Sequence, residues 1–318
     1  MKVHYDLKQL PPFKNAVITT GAFDGVHTGH LQIIKRIKEI AHQVAGESII
    51  ITFHPHPRKI ISSIPGEIKQ LTCLDERIQL LEKANIDHLV VINFDYLFSN
   101  LTATEYVQDF LVAHFHPHTI IVGYDHHFGK GRTGNFDLLV ALGQTHHFNV
   151  EEINEQLVNG EIISSTLIRN YLLEQNITKA NQLLGYPYYF DGFIVRGNQI
   201  GRTIGYPTAN LRILNEEKLI PANGVYAVRV HGNCFGEKVY DGMMNIGIRP
   251  TVDGQKKVIE VNIFNFDQDI YEQFITVMVY EFIRGEVKFD GLDALKNQLG
   301  QDKITATAIL AKYEVKLD

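Results

Sequence analysis

Gly21-Ala22-Phe23-Asp24-Gly25-Val26-His27-Thr28-Gly29-His30 lies between two apolar runs of different period. Before it, Ala16-Val17-Ile18-Thr19 reads as a short buried strand. After it, Leu31, Ile33, Ile34, Ile37, Ile40, Ala41 and Val44 recur at steps of three and four, the spacing of a helix with one apolar face. The order is therefore strand, glycine-rich turn, helix. Glycines let a ligand approach the backbone closely, and the free N–H groups of a first helical turn favour an anion, so phosphate is the expected occupant. His27 and His30 are three apart, and their imidazoles can converge on one side of that turn to donate to phosphate oxygens. A cap and a packed side chain are the plain alternative; the glycines and Asp24 favour the phosphate. The turn is not G-x-G-x-x-G, and Gly129-Lys130-Gly131 has neither the spacing nor the hydroxyl of a P-loop.

Outward from this stretch, the chain repeats the pattern. Ser48-Ile49-Ile50-Ile51-Thr52-Phe53 runs into His54-Pro55-His56-Pro57, a helix is expected near Asp75 to Ala84, and Leu89-Val90-Val91-Ile92-Asn93-Phe94 follows. A further helix near Ala103 to Ala113 precedes Thr119-Ile120-Ile121-Val122-Gly123, and a last short strand lies near Phe148–Ile153. Strands about 30 residues apart with helices between them predict βαβ units and a parallel sheet. Ligands in such sheets sit beyond the carboxyl ends of the strands. Three stretches fall there: Gly21–His30, His54–Pro57 and Gly123-Tyr124-Asp125-His126-His127-Phe128-Gly129-Lys130-Gly131-Arg132. Further on, Ser164-Ser165-Thr166 and Arg169 suit either a helix cap or a triphosphate.

Near residue 185 the pattern changes. Phe193-Ile194-Val195, Val225–His231, Lys238–Ile246, Val258–Phe264 and Phe274–Phe282 are short alternating runs, which predict a small antiparallel barrel. Helical patterns return at Leu292–Leu299 and Ile304–Tyr313. Gly192–Arg202 is glycine- and arginine-bearing, and Thr208 and Asn210 project to one side if extended, as oxygen ligands for Mg²⁺ or as turn residues. Glu260 interrupts Val258-Ile259-Val261 as an edge charge or as a base held in a pocket. His114-x-His116-x-His118 alternates as a strand would, but no carboxylate or cysteine completes a zinc-like set.

Composition bounds the function. At 318 residues and 45% hydrophobic content, two ordinary domains are expected, 1–184 and 185–318. A net charge of −6 argues against nucleic acid as a partner. Two cysteines, Cys73 and Cys234, form no motif, and a reducing cytoplasm fits. The first residues lack a signal peptide's apolar core, and no apolar run approaches the ~20 residues of a membrane span, so no membrane partner is expected.

In order and nearly end to end, these motifs resemble the bacterial bifunctional riboflavin kinase/FAD synthetase (FMN adenylyltransferase) family. The first half carries His27-Thr28-Gly29-His30 as the family's H-x-G-H, Thr52–Pro57, Gly123–Arg132 and Ser164–Arg169; the second carries Gly205-Tyr206-Pro207-Thr208-Ala209-Asn210, Met244–Thr251 and Glu260. The resemblance implies an N-terminal Rossmann-like nucleotidyltransferase domain and a C-terminal riboflavin kinase-like barrel with terminal helices. The barrel would phosphorylate riboflavin to FMN with ATP, and the first domain would adenylylate FMN to FAD with a second ATP, releasing pyrophosphate. Glu260 would be the kinase base, Gly197, Gly201, Arg202, Thr208 and Asn210 would hold ATP, and Thr208 and Asn210 would place Mg²⁺. In the synthetase half, His27 and His30 would stabilise the transferring phosphates. Gly21, Phe23, Asp24, Gly29, Ser164, Thr166 and Arg169 would hold ATP there, and His56, Pro57, Asp125, Phe128 and Arg132 would hold FMN. A monomer or weak oligomer is expected. The chain departs from the family at His126-His127, where many relatives have an aromatic and an arginine, and at Glu272, where the family usually has glycine. A kinase with a weakened synthetase half, or a flavin-binding regulator without turnover, are the competing readings; a regulator has no use for a base.

Overall fold

Four strands in the first half are buried along almost their whole length, both of their faces being covered. The protein, a computed structural model, is described for residues 1–61, 69–154, 157–158, 160–197, 200–251 and 254–314. Strands β1 (Lys2–His4), β2 (Val17–Thr20), β3 (Ser48–His54), β4 (His88–Asn93), β5 (Thr119–Gly123) and β6 (Asn149–Ile153) form one sheet in the order β1-β4-β3-β2-β5-β6. All its pairings are parallel. Side chains alternate along each strand, so Ile49 and Ile51 enter one core with Ile18, Val90, Phe110 and Phe128, while Ile50 enters another with Phe23, Val26, Ile34 and Leu81. Helices α1 (Thr28–Gln43) and α2 (Leu74–Lys83) cover the second core. The first is covered by α3 (Phe136–His146) and by Ala103–Glu105, Tyr106–Val112 and Ala113–Phe115, whose middle turns are π-helical.

The edge strand β1 escaped the sequence reading, since three residues carry no measurable period. It pairs in register with Lys2 opposite His88. The histidine triplet is no strand: His114 lies in the helical turn Ala113–Phe115, His116 ends it at φ 42°, and His118 Nδ1 lies 2.8 Å from Thr119 Oγ1.

After a two-stranded antiparallel pair, β7 (Leu157–Val158) and β8 (Glu161–Ile162), the strands of the second half, β9 (Tyr188–Val195), β10 (Ala209–Arg212), β11 (Gly224–His231), β12 (Tyr240–Thr251), β13 (Gly254–Ile263) and β14 (Phe274–Arg284), close into a barrel in the order β10-β13-β12-β11-β14-β9. The strand missing from the sequence reading is β10, four residues long, which carries Asn210. Tyr226, Met244 and Val261 stand opposite one another and are buried on one face. On the other face Ala227, Met243 and Tyr280 pack under Ala306, Ile309 and Leu310 of the last helix, α6 (Leu292–Leu310). The two predicted C-terminal helices are this single one. Gly300 does not break it, and a Cβ there would stand 3.3 Å from the Tyr206 hydroxyl.

The chain divides into two compact units, Met1–Ser165 and Thr166–Asp318. The sequence reading puts the change at residue 185. Helices α4 (Ser165–Leu173) and α5 (Ile177–Leu184) precede it, and backbone and side-chain bonds tie them to the barrel. Ala222 N–H donates to Leu172 O (3.2 Å), Asn181 Nδ2 to Val279 O (2.9 Å), and Tyr188 N–H to Asn181 Oδ1 (2.7 Å).

Candidate active sites

Strand order reverses at β2, which lies between β3 and β5, and the Gly21–His30 loop leaves its carboxyl end. Phe23 and Val26 anchor the loop by burial, at the cost of left-handed backbone at φ 49° and 34°, uncommon for any residue with a Cβ and most of all for β-branched valine. Asp24 is buried beneath. It accepts from Leu71 N–H (3.1 Å), Thr72 N–H (2.9 Å) and the Thr72 hydroxyl (3.2 Å), and Thr72 Oγ1 in turn accepts from Gly25 N–H (2.9 Å). Asp24 thus braces the loop from below. The partners Gln70-Leu71-Thr72, with Arg77 donating to Thr52 Oγ1 (3.1 Å) and Gln70 Oε1 (3.2 Å), carried no sequence signal because the contact is made only by tertiary packing.

His27 is the N-cap of α1, and its Nδ1 accepts from the His30 backbone N–H at 3.3 Å. The imidazoles of His27 and His30 stack with centroids 3.6 Å apart, and the Phe23 ring stands 4.9 Å from that of His30. Burial, then the neighbouring His27 and Arg77, holds His30 well below the usual histidine range, so it is neutral at pH 7. Its buried Nδ1 meets no hydrogen-bond partner among the described residues. Gly21 and Gly29 lie under the Phe23 and His27 rings respectively. Ser164 is half-buried, and the Ser165 hydroxyl donates to Asp24 O at 2.9 Å. Thr166 is exposed and Arg169 half-buried, both on α4 where the second unit begins.

The loops after β3 and β5 open on the same edge of the sheet. His56 is buried, its Nδ1 accepting from Arg58 N–H (3.2 Å), and Pro57 is half-buried. Phe128 is buried against Tyr106 (5.4 Å between centroids) and exchanges two backbone hydrogen bonds with Gly134, closing a loop whose tip exposes Lys130 and Arg132. Asp125 is exposed. Burial pushes His126 down to about 4 despite Asp125 beside it, and its Nε2 lies 3.5 Å from Thr20 Oγ1.

On the barrel, Glu260 lies directly between Asn210 and Asn245 on the flanking strands. Opposed residues of an antiparallel ladder share a face, so these three side chains leave the sheet together. Glu260 and Thr208 line one cavity of about 320 Å³ with Asn245, Asn262, Arg284 and Leu299. Arg284 grips buried Asp302 with Nε and Nη2 (2.9 and 2.7 Å), fixing α6 over the cavity. A second cavity, of about 410 Å³, contains Arg202, Pro207, Thr208, Asp267 and Tyr271. Thr208 belongs to both. Gly201 lines the first cavity, and a Cβ at Gly197 would collide with the Asn210 amide where it now lies, so glycine there leaves the amide its place. Asn198 and Gln199, between them, lie outside the described residues.

The FAD synthetase family matches residues 11–167 and the riboflavin kinase family residues 184–310. A curated Listeria monocytogenes relative, bifunctional riboflavin kinase/FMN adenylyltransferase, is 39% identical over 94% of each chain. The chain belongs to the bifunctional riboflavin kinase/FMN adenylyltransferase family. A second member of this name, from Escherichia coli K12, is 36% identical over 95% of each chain. A solved Streptococcus pneumoniae chain described as a macrolide-efflux protein is also similar, with 30% identity, a TM-score of 0.87, and 96% of this chain and 99% of that one covered. Among the described residues no helix is long and apolar enough to cross a membrane. For a member of the riboflavin kinase/FMN adenylyltransferase family, the glycine expected at position 272 has a physical reason here. Glu272 sits at φ 63°, in the left-handed region, with its N–H donating to Ile194 O at 3.0 Å.

Proposed function

We propose that this chain makes FMN from riboflavin and ATP on its barrel, and FAD from FMN and a second ATP on its α/β unit. One observation carries the kinase assignment: Thr208 stands in a wall common to two cavities, only one of which contains Glu260. The base must meet the ribityl hydroxyl, so riboflavin takes the Glu260 cavity, whose Met243, Phe289 and Leu295 suit an apolar ring system. ATP takes the other, with Arg202 beside its phosphates, and the γ-phosphoryl group crosses at Thr208. Glu260 accepts the hydroxyl proton as the oxygen attacks, and ADP leaves on the far side. The Thr208 hydroxyl and the Asn210 amide are oxygen donors of the kind a hard cation takes, and would hold Mg²⁺. Bound there with the nucleotide, Mg²⁺ supplies charge neutralisation on the phosphates.

Adenylylation needs no base, because the attacking FMN phosphate is already ionised. It needs donors aimed at the α-phosphate and the departing pyrophosphate. With Nδ1 of His27 occupied as an acceptor, Nε2 is the ring nitrogen left to carry a proton toward a phosphate oxygen. His30 Nδ1, dry and unpartnered, gains a phosphate oxygen as its acceptor. Ser164, Thr166 and Arg169 are assigned to the same nucleotide, and His56, Pro57, Asp125, Phe128 and Arg132 to FMN. Cys73 and Cys234 are not bonded to each other, which fits a cytoplasmic enzyme, and we take it as a monomer or weak oligomer.

Purified protein given riboflavin, ATP and Mg²⁺ is expected to yield both FMN and FAD. Glu260→Gln is expected to slow FMN formation by about 10²–10⁴-fold while FMN-to-FAD conversion survives. His27→Ala is expected to slow FAD formation by roughly 10²-fold and spare the kinase. Product chromatography reads both, and equal loss of the two activities in either variant refutes the assignment.

A further inference from the structure

Asn262 follows Glu260 by two residues on β13, so both side chains leave the same face of the strand, and both line the Thr208 cavity. The amide is buried, and its Nδ2 donates to the Pro207 carbonyl at 2.7 Å. That bond fixes the amide's orientation, since its oxygen has no hydrogen to give. The receiving segment needs such a tie. Pro207 has no N–H, and Thr208 precedes the first ladder pair of β10, Ala209 with Val261. Ahead of it, Tyr206 N–H donates to Gly201 O at 2.8 Å. Between these two anchors, the Asn262 amide restrains the residue that stands in both cavities.

We infer that Asn262 is a positioning residue of the kinase step, holding Thr208 at the wall between the two cavities by its grip on the Pro207 carbonyl. The inference rests on the kinase reading above. It assigns Asn262 no contact with the reacting atoms. Its effect passes through Thr208, because a small displacement of a group at the transfer point costs far more than one hydrogen bond.

A double-mutant cycle tests it. Riboflavin phosphorylation is measured for wild type, Asn262→Ala, Thr208→Ala and the double variant, and ADP binding is measured calorimetrically with and without Mg²⁺. Asn262→Ala is expected to lower kcat and to weaken ADP binding in Mg²⁺ by about 5–10-fold each, the scale of one lost buried bond. Riboflavin KM is expected to stay within about twofold, and in the Thr208→Ala background the added loss is expected to be under about twofold. Equal losses in both backgrounds, or a change confined to riboflavin KM, overturn the inference. Asn262→Asp keeps the size and removes the donor, so it is expected to reproduce the loss; wild-type behaviour in that variant also overturns it. The unchanged riboflavin KM, with thermal unfolding of each variant, reports that the barrel is folded. A wild-type protein that makes no FMN sinks the kinase reading itself, whereas an active wild type with an indifferent Asn262→Ala sinks only this inference.

Discussion

At the scale of single residues, protonation is set by what each ring touches. His27 accepts the His30 backbone N–H at Nδ1, which leaves Nε2 as the nitrogen to carry a proton. His126 is neutral for another reason: burial disfavours its charged form, His127 and Arg132 add to that, and Asp125 opposes it only in part. Its pKa falls from the ordinary 6.5 to about 4, so between those values the unfolded chain binds more protons than the folded one. Stability therefore rises with pH across that window and is lost as pH falls through it. From pH 7 to pH 4.5, wild type is expected to lose about 1–3 kcal/mol more than His126→Asn, read from thermal unfolding of the two proteins. Identical losses would contradict the assignment. That a histidine replaces the family's usual residues was visible in the sequence; that burial lowers its pKa was not, because part of its surroundings comes from the distant strand β2, whose Thr20 Oγ1 lies 3.5 Å from its Nε2.

Among the elements, α6 shows what one side chain can do for a helix. The last carbonyls of a helix have no partner within it. Arg229, buried on β11, donates Nη2 to the carbonyls of Leu310 (2.9 Å) and Tyr313 (2.9 Å) and Nη1 to that of Glu314 (3.0 Å), while Asp241 accepts from its Nε (2.9 Å). Since Leu295, Leu299 and Asp302 of the same helix wall the Glu260 cavity, its seating bears on the cavity proposed for riboflavin. Arg229→Leu is expected to cost about 2–4 kcal/mol, seen as a lower melting temperature, and to raise riboflavin KM while leaving FMN adenylylation intact. An unchanged KM would show that α6 holds its place without the cap. Amphipathic period foretold α1, and a β-branched run foretold β3. The sequence shows two helical patterns where α6 is one helix, and the close approach of the Tyr206 hydroxyl to Gly300 within it, 3.3 Å from where a Cβ would stand, has no local signal.

For the whole molecule, the proposed base Glu260 and the proposed phosphate donors His27 and His30 lie in different compact units, so on that proposal the loss of one activity leaves the other working. Mixing Glu260→Gln protein with His27→Ala protein is expected to restore FAD formation from riboflavin, because FMN released by one chain is substrate for the other. FAD absent from the mixture, with FMN accumulating, would contradict a freely diffusing intermediate. The sequence by itself determined the parallel sheet, the barrel and the order of their motifs, since strand period, helix period and turn chemistry are properties of neighbouring residues. It also named Glu260, Thr208, His27 and His30. Only the tertiary structure decided that Thr208 stands between two cavities, that Asp24 braces its loop through Leu71 and Thr72, that His30 is dry, and that Asn262 grips Pro207. Each of these depends on atoms brought together from distant parts of the chain, and burial and hydrogen-bond geometry have no local signature.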